Sequence, residues 1–141
     1  MISGKKEVGG MRIICKRLRR GEDLLLAIRR LAEEEGLAAA VVLSGVGCVS
    51  RARLRCADGV RAVEVAEPCE IVSLTGTVSA ARTHLHLALA REDLGVVGGH
   101  LLEGCVVNTT CELVLQELEG WRFGAAADPE TGYDEIVMER E

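Results

Sequence analysis

Residues 83–90, Thr-His-Leu-His-Leu-Ala-Leu-Ala, alternate with a period of two, and this is the tightest constraint in the chain. Such alternation is a strand with one buried face, because successive side chains in a strand point to opposite sides. Leu85, Leu87 and Leu89 must face the core. His84 and His86 then share the other face, with Cα atoms about 6.5–7 Å apart. The next residues, Arg91-Glu92-Asp93-Leu94-Gly95, have the composition of a hairpin loop, and Val96 opens a second apolar run that contains His100. If the strands pair from Ala90 and Val96, His86 falls directly opposite His100, with Cβ atoms about 4.5–5.5 Å apart. His84 sits one step diagonal on the same face. A slip of one residue, for instance at a bulge in Gly98-Gly99, would send His100 to the other face.

These are the only three histidines of the chain. Three imidazoles with an open fourth position form the arrangement of zinc sites that take water or a substrate, so His84, His86 and His100 are the expected ligands of Zn2+ or another divalent transition metal. No catalytic residue is assigned by pattern, since H-E-x-x-H and G-x-S-x-G are both missing from the sequence. Gly95-Val96-Val97-Gly98-Gly99 lacks the spacing of a phosphate-binding glycine loop.

Elsewhere the chain reads as one helix among many short strands. Met11–Leu18 is expected as a first strand. Asp23–Glu35 is helical, with Leu24, Ile28 and Leu31 on one face and Gly36 as its stop. Ala38–Leu43 and Ser50–Cys56 read as two strands. Asp58-Gly59 is a hairpin turn before a return strand at Arg61–Val65. Glu70–Val78 is a strand with a possible bulge at Gly76, followed by strands at Thr83–Ala90 and roughly Val96–Val107. Glu112–Glu119 fits either periodicity and is taken as strand from its neighbourhood. Asp128–Gly132 is a turn cluster, and Asp134–Met138 a last strand. The sum is a single α+β domain over residues 12–139 with a largely antiparallel sheet and one main helix, after an N-terminal leader at 1–11.

Only 2% of the residues are aromatic, so the core must be aliphatic, and base-stacking platforms are scarce. The net charge of -5 argues against a general nucleic-acid binder. Met1 to Gly10 lacks a signal-peptide apolar region and no run is long enough to span a bilayer, so a cytoplasmic location without membrane contact is expected. The six cysteines contain no C-x-x-C and are expected to be reduced, mostly as small core residues.

Read as one string, His84-Leu85-His86-Leu87-Ala88-Leu89, Gly95-Val96-Val97-Gly98-Gly99-His100-Leu101, Gly104, Val107, Thr110 and Glu112 resembles the PPC family, the plant- and prokaryote-conserved domain. Gly21-Glu22-Asp23-Leu24, Val41 to Gly47, Leu54-Arg55, Glu70 to Gly76, Phe123, Asp128 and Thr131-Gly132-Tyr133 follow in family order. The resemblance implies a homotrimer and a metal held by the three histidines. It also implies a link to DNA, since plant members carry AT-hooks. This chain has no Arg-Gly-Arg-Pro hook, so that link is not carried directly.

Three functions follow as expectations. The first is a homotrimeric metal-binding module with a regulatory role and a small anionic ligand, in which Thr110 and Glu112 orient a ligand imidazole or a bound water. The second is DNA binding through Lys16, Arg17, Arg19 and Arg20, Arg29 and Arg30, or the Arg51, Arg53 and Arg55 strand face, against the alternative of a solvated face balanced by Glu33, Glu34 and Glu35. The third is a metal-dependent hydrolase or lyase acting on a small anionic substrate, with Glu112 or Asp93 as base.

Overall fold

Asp23 explains why the helix starts where it does. In the computed structural model, which describes residues 11–141, its Oδ1 accepts a hydrogen bond from the Leu26 N–H at 3.0 Å, and its backbone is extended, as at an N-cap. Helix α1 (Leu24–Glu34) follows, and Gly36 ends it at φ 60°. Leu24, Leu25, Ala27, Ile28, Leu31 and Ala32 are buried, which is the apolar stripe expected from their spacing. The other Asp23 oxygen, Oδ2, accepts from the Gly104 N–H at 2.8 Å and fastens the helix start to a distant loop.

Around α1 the chain forms strands β1 (Ile13–Arg19), β2 (Ala40–Arg55), β3 (Ala62–Val65), β4 (Cys69–Val78), β5 (Thr83–Ala90), β6 (Val96–Leu101), β7 (Val106–Glu117), β8 (Trp121–Ala127) and β9 (Asp134–Arg140). The main sheet runs β1-β7-β2-β4-β5-β6, entirely through antiparallel pairs, with β3 paired to β2. β6 also returns to the far end of β2, so β2, β4, β5 and β6 close on themselves. β8 and β9 make a separate hairpin. The backbone N–H of Phe123 on β8 donates to the Ala38 carbonyl at 2.9 Å, which ties this hairpin to the entry of β2. One apolar cluster joins the inner faces of sheet and helix, and Leu85, Leu87, Leu89, Leu101, Leu113 and Leu115 belong to it. This is the α+β domain that the periodicities predict.

The differences in detail have physical causes. The two strands expected at 38–43 and 50–56 are one strand of 16 residues, β2. Ser44-Gly45 does not break it, because register shifts between Val42 and Ser44, Gly47 and Val49, and Val49 and Arg51 absorb the bend. The single run expected at 96–107 is divided by a turn at 102–105, where Gly104 takes φ 107°. β8 was not expected, since Trp-Arg-Phe-Gly-Ala-Ala-Ala shows no sustained alternation. Gly76 is not at a bulge. It pairs regularly with Leu85, and the register shift of β4 lies between Ile71 and Ser73. Cys69, Cys105 and Cys111 are buried, Cys48 and Cys56 half-buried and Cys15 exposed, all as free thiols. The proposed leader at 1–11 falls almost entirely outside the described residues.

Candidate metal centre

The β5–β6 hairpin brings the histidines together. Ala90 pairs with Val96 and His86 with His100, with no register shift between them. His84 lies on the same face of β5. The ring centroids are 5.0 Å apart for His84 and His86, 5.2 Å for His84 and His100, and 5.8 Å for His86 and His100. One nitrogen from each ring can be chosen so that all three lie within 4.8 Å of one another. A tetrahedral zinc with bonds of about 2.0–2.1 Å requires nitrogens about 3.4 Å apart, so small rotations of the rings would suffice.

Gly98 and Gly99 do not form a bulge; they let strands approach. A Cβ at Gly99 would stand 2.7 Å from the Arg55 carbonyl oxygen. Only glycine lets β6 lie this close to the end of β2. The consequence is that Arg55 becomes the register partner of His100.

Electrostatics at the cluster favour the neutral forms of His84 and His100. Burial, followed by the positive charge of Arg55 and the neighbouring histidines, lowers His100 from 6.5 to about 4. His84 is lowered as well, by burial first and then by Arg82 and His86, against an opposing pull from Glu135. A neutral imidazole is the form that ligates a metal. Among the described residues the buried Nδ1 of His100 has no hydrogen-bond partner. An orphaned ring nitrogen inside a cluster of three imidazoles fits a metal ligand, because buried polar atoms normally find partners. His84, His86 and His100 are therefore the residues that would hold the ion. A cavity of about 550 Å³ opens over His86 and His100 and is lined also by Arg55, Ser73, Ala88 and Gly98.

The remaining candidates are placed elsewhere. Thr110 and Glu112 lie on β7, which is separated from β5 by β2 and β4. Thr110 Oγ1 accepts from Arg17 Nε at 3.0 Å, and Glu112 is exposed opposite Arg17. Asp93 is in the loop, accepting from the Gly95 N–H at 2.8 Å, and His86 lies four residues inside β5 from its end at Ala90, about 13 Å by strand rise. Neither Glu112 nor Asp93 lines the histidine cavity.

The basic residues divide into groups. Arg20 Nε donates to the Asn108 carbonyl at 2.8 Å, and Arg29 lies 3.5 Å from Glu103. Lys16, Arg19, Arg30, Arg51 and Arg53 are exposed. Arg55 is half-buried at the histidines. From sequence Arg55 is expected in the family pattern and on a nucleic-acid face but not beside the histidines, and Arg82 and Glu135 carry no expectation. The sole sequence signal for Arg82 was its position two residues before His84.

The fold and the cluster define a small α+β domain that carries three imidazoles on the outer face of an antiparallel sheet. The sequence model of the Plants and Prokaryotes Conserved (PCC) domain matches residues 5–119, and the chain belongs to that family. A hypothetical protein from Salmonella enterica superposes with a TM-score of 0.89 at 29% identity, covering 96% of this chain and 98% of that one. The metal-containing protein AF0104 from Archaeoglobus fulgidus has a TM-score of 0.74 at 32% identity, covering 93% and 95%. A candidate DNA-binding protein from Bacteroides thetaiotaomicron, at 24% identity and a TM-score of 0.80 over 96% of each chain, shares the fold. A bifunctional protein GlmU from a Synechococcus strain is 40% identical over 132 residues, which are 94% of this chain. The chain spans only about a fifth of the length of such curated relatives, 21%.

Among the described residues no helix is long and apolar enough to cross a membrane.

Proposed function

We propose that this chain is a metal-binding module in which His84, His86 and His100 hold one divalent transition metal, zinc foremost, with a coordination position left for a small anion. The observation that carries this is the convergence of the three ligand nitrogens within 4.8 Å. The likeness to the Archaeoglobus metal-containing protein supports it. When bound, zinc supplies a Lewis acid that can lower the pKa of a water. Around it this chain contributes positive charge from Arg55 and Arg82.

The module acts as a homotrimer in this reading. Leu43, Val46 and Val72, on adjacent strands β2 and β4, are each at least half exposed, and a second copy would cover them. A regulatory role follows if the metal's anion is a signal. An enzymatic role as a hydrolase or lyase needs an acid or base at the cavity, and Glu135 is the carboxylate whose charge acts on His84. DNA binding has less support, because part of the arginine set is engaged within the chain and the net charge is -5.

The test is elemental mass spectrometry of untagged protein beside a His100→Ala variant. About one zinc per chain, lost in the variant, is the expected result. No metal in the wild type after zinc is supplied would overturn the proposal.

A further inference from the structure

The geometry points to a carboxylate as the anion, and we infer that the site takes a small monocarboxylate with a short unbranched apolar body. Its carboxylate would be gripped by Arg55 beside the metal, and its apolar part would lie in a groove between β3 and β6. This rests on the three-histidine metal reading.

Arg55 is the pivot. It lines the cavity over the histidines and also a second groove of about 280 Å³, which shares Arg55, Cys56 and Gly98 with it. The buried Nε of Arg55 has no hydrogen-bond partner among the described residues, and no carboxylate forms an ion pair with it there. Asp58, an acid on which its charge acts, has Oδ1 occupied by the Val60 and Arg61 N–H groups, each at 2.9 Å. A buried guanidinium N–H left unpaired is costly, and its planar fork matches a carboxylate.

The charges agree. Three neutral imidazoles leave the charge of a divalent ion uncompensated. Arg55, the register partner of His100, and Arg82, two residues before His84, add to it. In a chain of net charge -5, this is a positive spot that an anion would neutralise. The groove selects among anions. Its apolar walls are Leu54, Val63, Val65, Ala66 and Val97, with Val63 45% exposed, and Glu64 at the solvent side is a lining carboxylate that disfavours a second negative charge on the ligand's tail. Arg91 also lines the groove, but it is held by Glu67 at 2.6 Å. Arg55 therefore offers the groove a cation without an ion-pair partner among the described residues, and the apolar walls suit methylene groups.

The test is calorimetric titration of zinc-loaded protein with acetate, butanoate and hexanoate, with hexylammonium and inorganic phosphate as controls. Affinity is expected to rise about fourfold per added methylene. Hexylammonium should not bind, and phosphate should bind more weakly than hexanoate. Arg55→Gln should weaken hexanoate by about tenfold or more while zinc stoichiometry stays the same, and Arg55→Lys should fall between. Affinity independent of chain length, phosphate binding more tightly than hexanoate, or an unchanged affinity in Arg55→Gln would overturn the inference. Zinc uptake is measured on the same samples. Zinc bound without acid binding sinks this inference alone, whereas a protein that takes up no zinc sinks the metal reading and this one with it.

Discussion

His86 and His100 face each other directly across the β5–β6 hairpin, their ring centroids 5.8 Å apart. Fourteen residues separate them in sequence, and a loop of five residues sets the register that joins them. Replacing either by alanine removes one of the three proposed ligands. Metal affinity should fall by more than the roughly 10–100-fold typical of losing an outer partner. Equilibrium dialysis against a zinc buffer measures it. A His86→Ala protein that keeps wild-type affinity would exclude His86 as a ligand.

The same site should make the metal-free protein acid-sensitive. His100 titrates at about 4 in the folded chain against an ordinary 6.5, because of burial first and then Arg55 and the other histidines. Below pH 6.5 the unfolded chain binds a proton there that the folded chain refuses. The stability linked to His100 is present above 6.5 and is lost as pH falls toward 4, and His84 is shifted in the same direction. Both rings are partly exposed, so solvent screening softens the effect. Melting temperature in the presence of a chelator should decline from pH 6.5 to 4.5, less steeply in His100→Asn. Equal slopes in the two proteins would contradict this account.

Gly76 sits on β4 opposite Leu85, between the partners of His84 and His86. Its φ is 152°, and a Cβ there would overlap the His84 carbonyl oxygen. Backbone cannot retreat as a flexible side chain would. Gly76→Ala should cost about 3 kcal/mol or more of stability and loosen the proposed metal site. Urea unfolding and zinc binding report the two effects, and a variant as stable as wild type would refute the close approach.

Asp23 does two jobs, capping α1 through Leu26 and fixing Gly104 of the turn between β6 and β7. Asp23→Ala loses a cap worth about 1 kcal/mol and leaves a second N–H without its acceptor, so about 2 kcal/mol in total is expected. Asp23→Asn should recover part of it. A loss no larger than an ordinary cap would mean that the Gly104 bond contributes nothing.

A further consequence concerns assembly. Charge placed at Val46 or Val72 should dissociate the proposed homotrimer, because desolvating a carboxylate at an apolar contact is expensive. Light scattering on Val72→Glu distinguishes the states. A wild-type protein that is already monomeric at micromolar concentration would refute the trimer.

The alternation at 83–90, the turn residues at 91–95 and the pattern from Val96 to His100 sufficed to place His86 opposite His100. Helix α1 was equally legible from Asp23, its leucine spacing and Gly36. These features are local: a period of two or 3.6 and a short loop fix which face a side chain occupies. What the sequence left open depends on contacts between distant segments. Continuity of β2 through Ser44-Gly45 is decided by β7 and β4 on its two edges. Strand β8 is held by Ala38, 85 residues before Phe123. Arg55 reaches His100 because β6 returns to β2, and Glu135 acts on His84 from the last hairpin. Hydrophobic periodicity thus determined that three histidines would share a face. Closure of the sheet, which no local pattern encodes, decided which charges surround them.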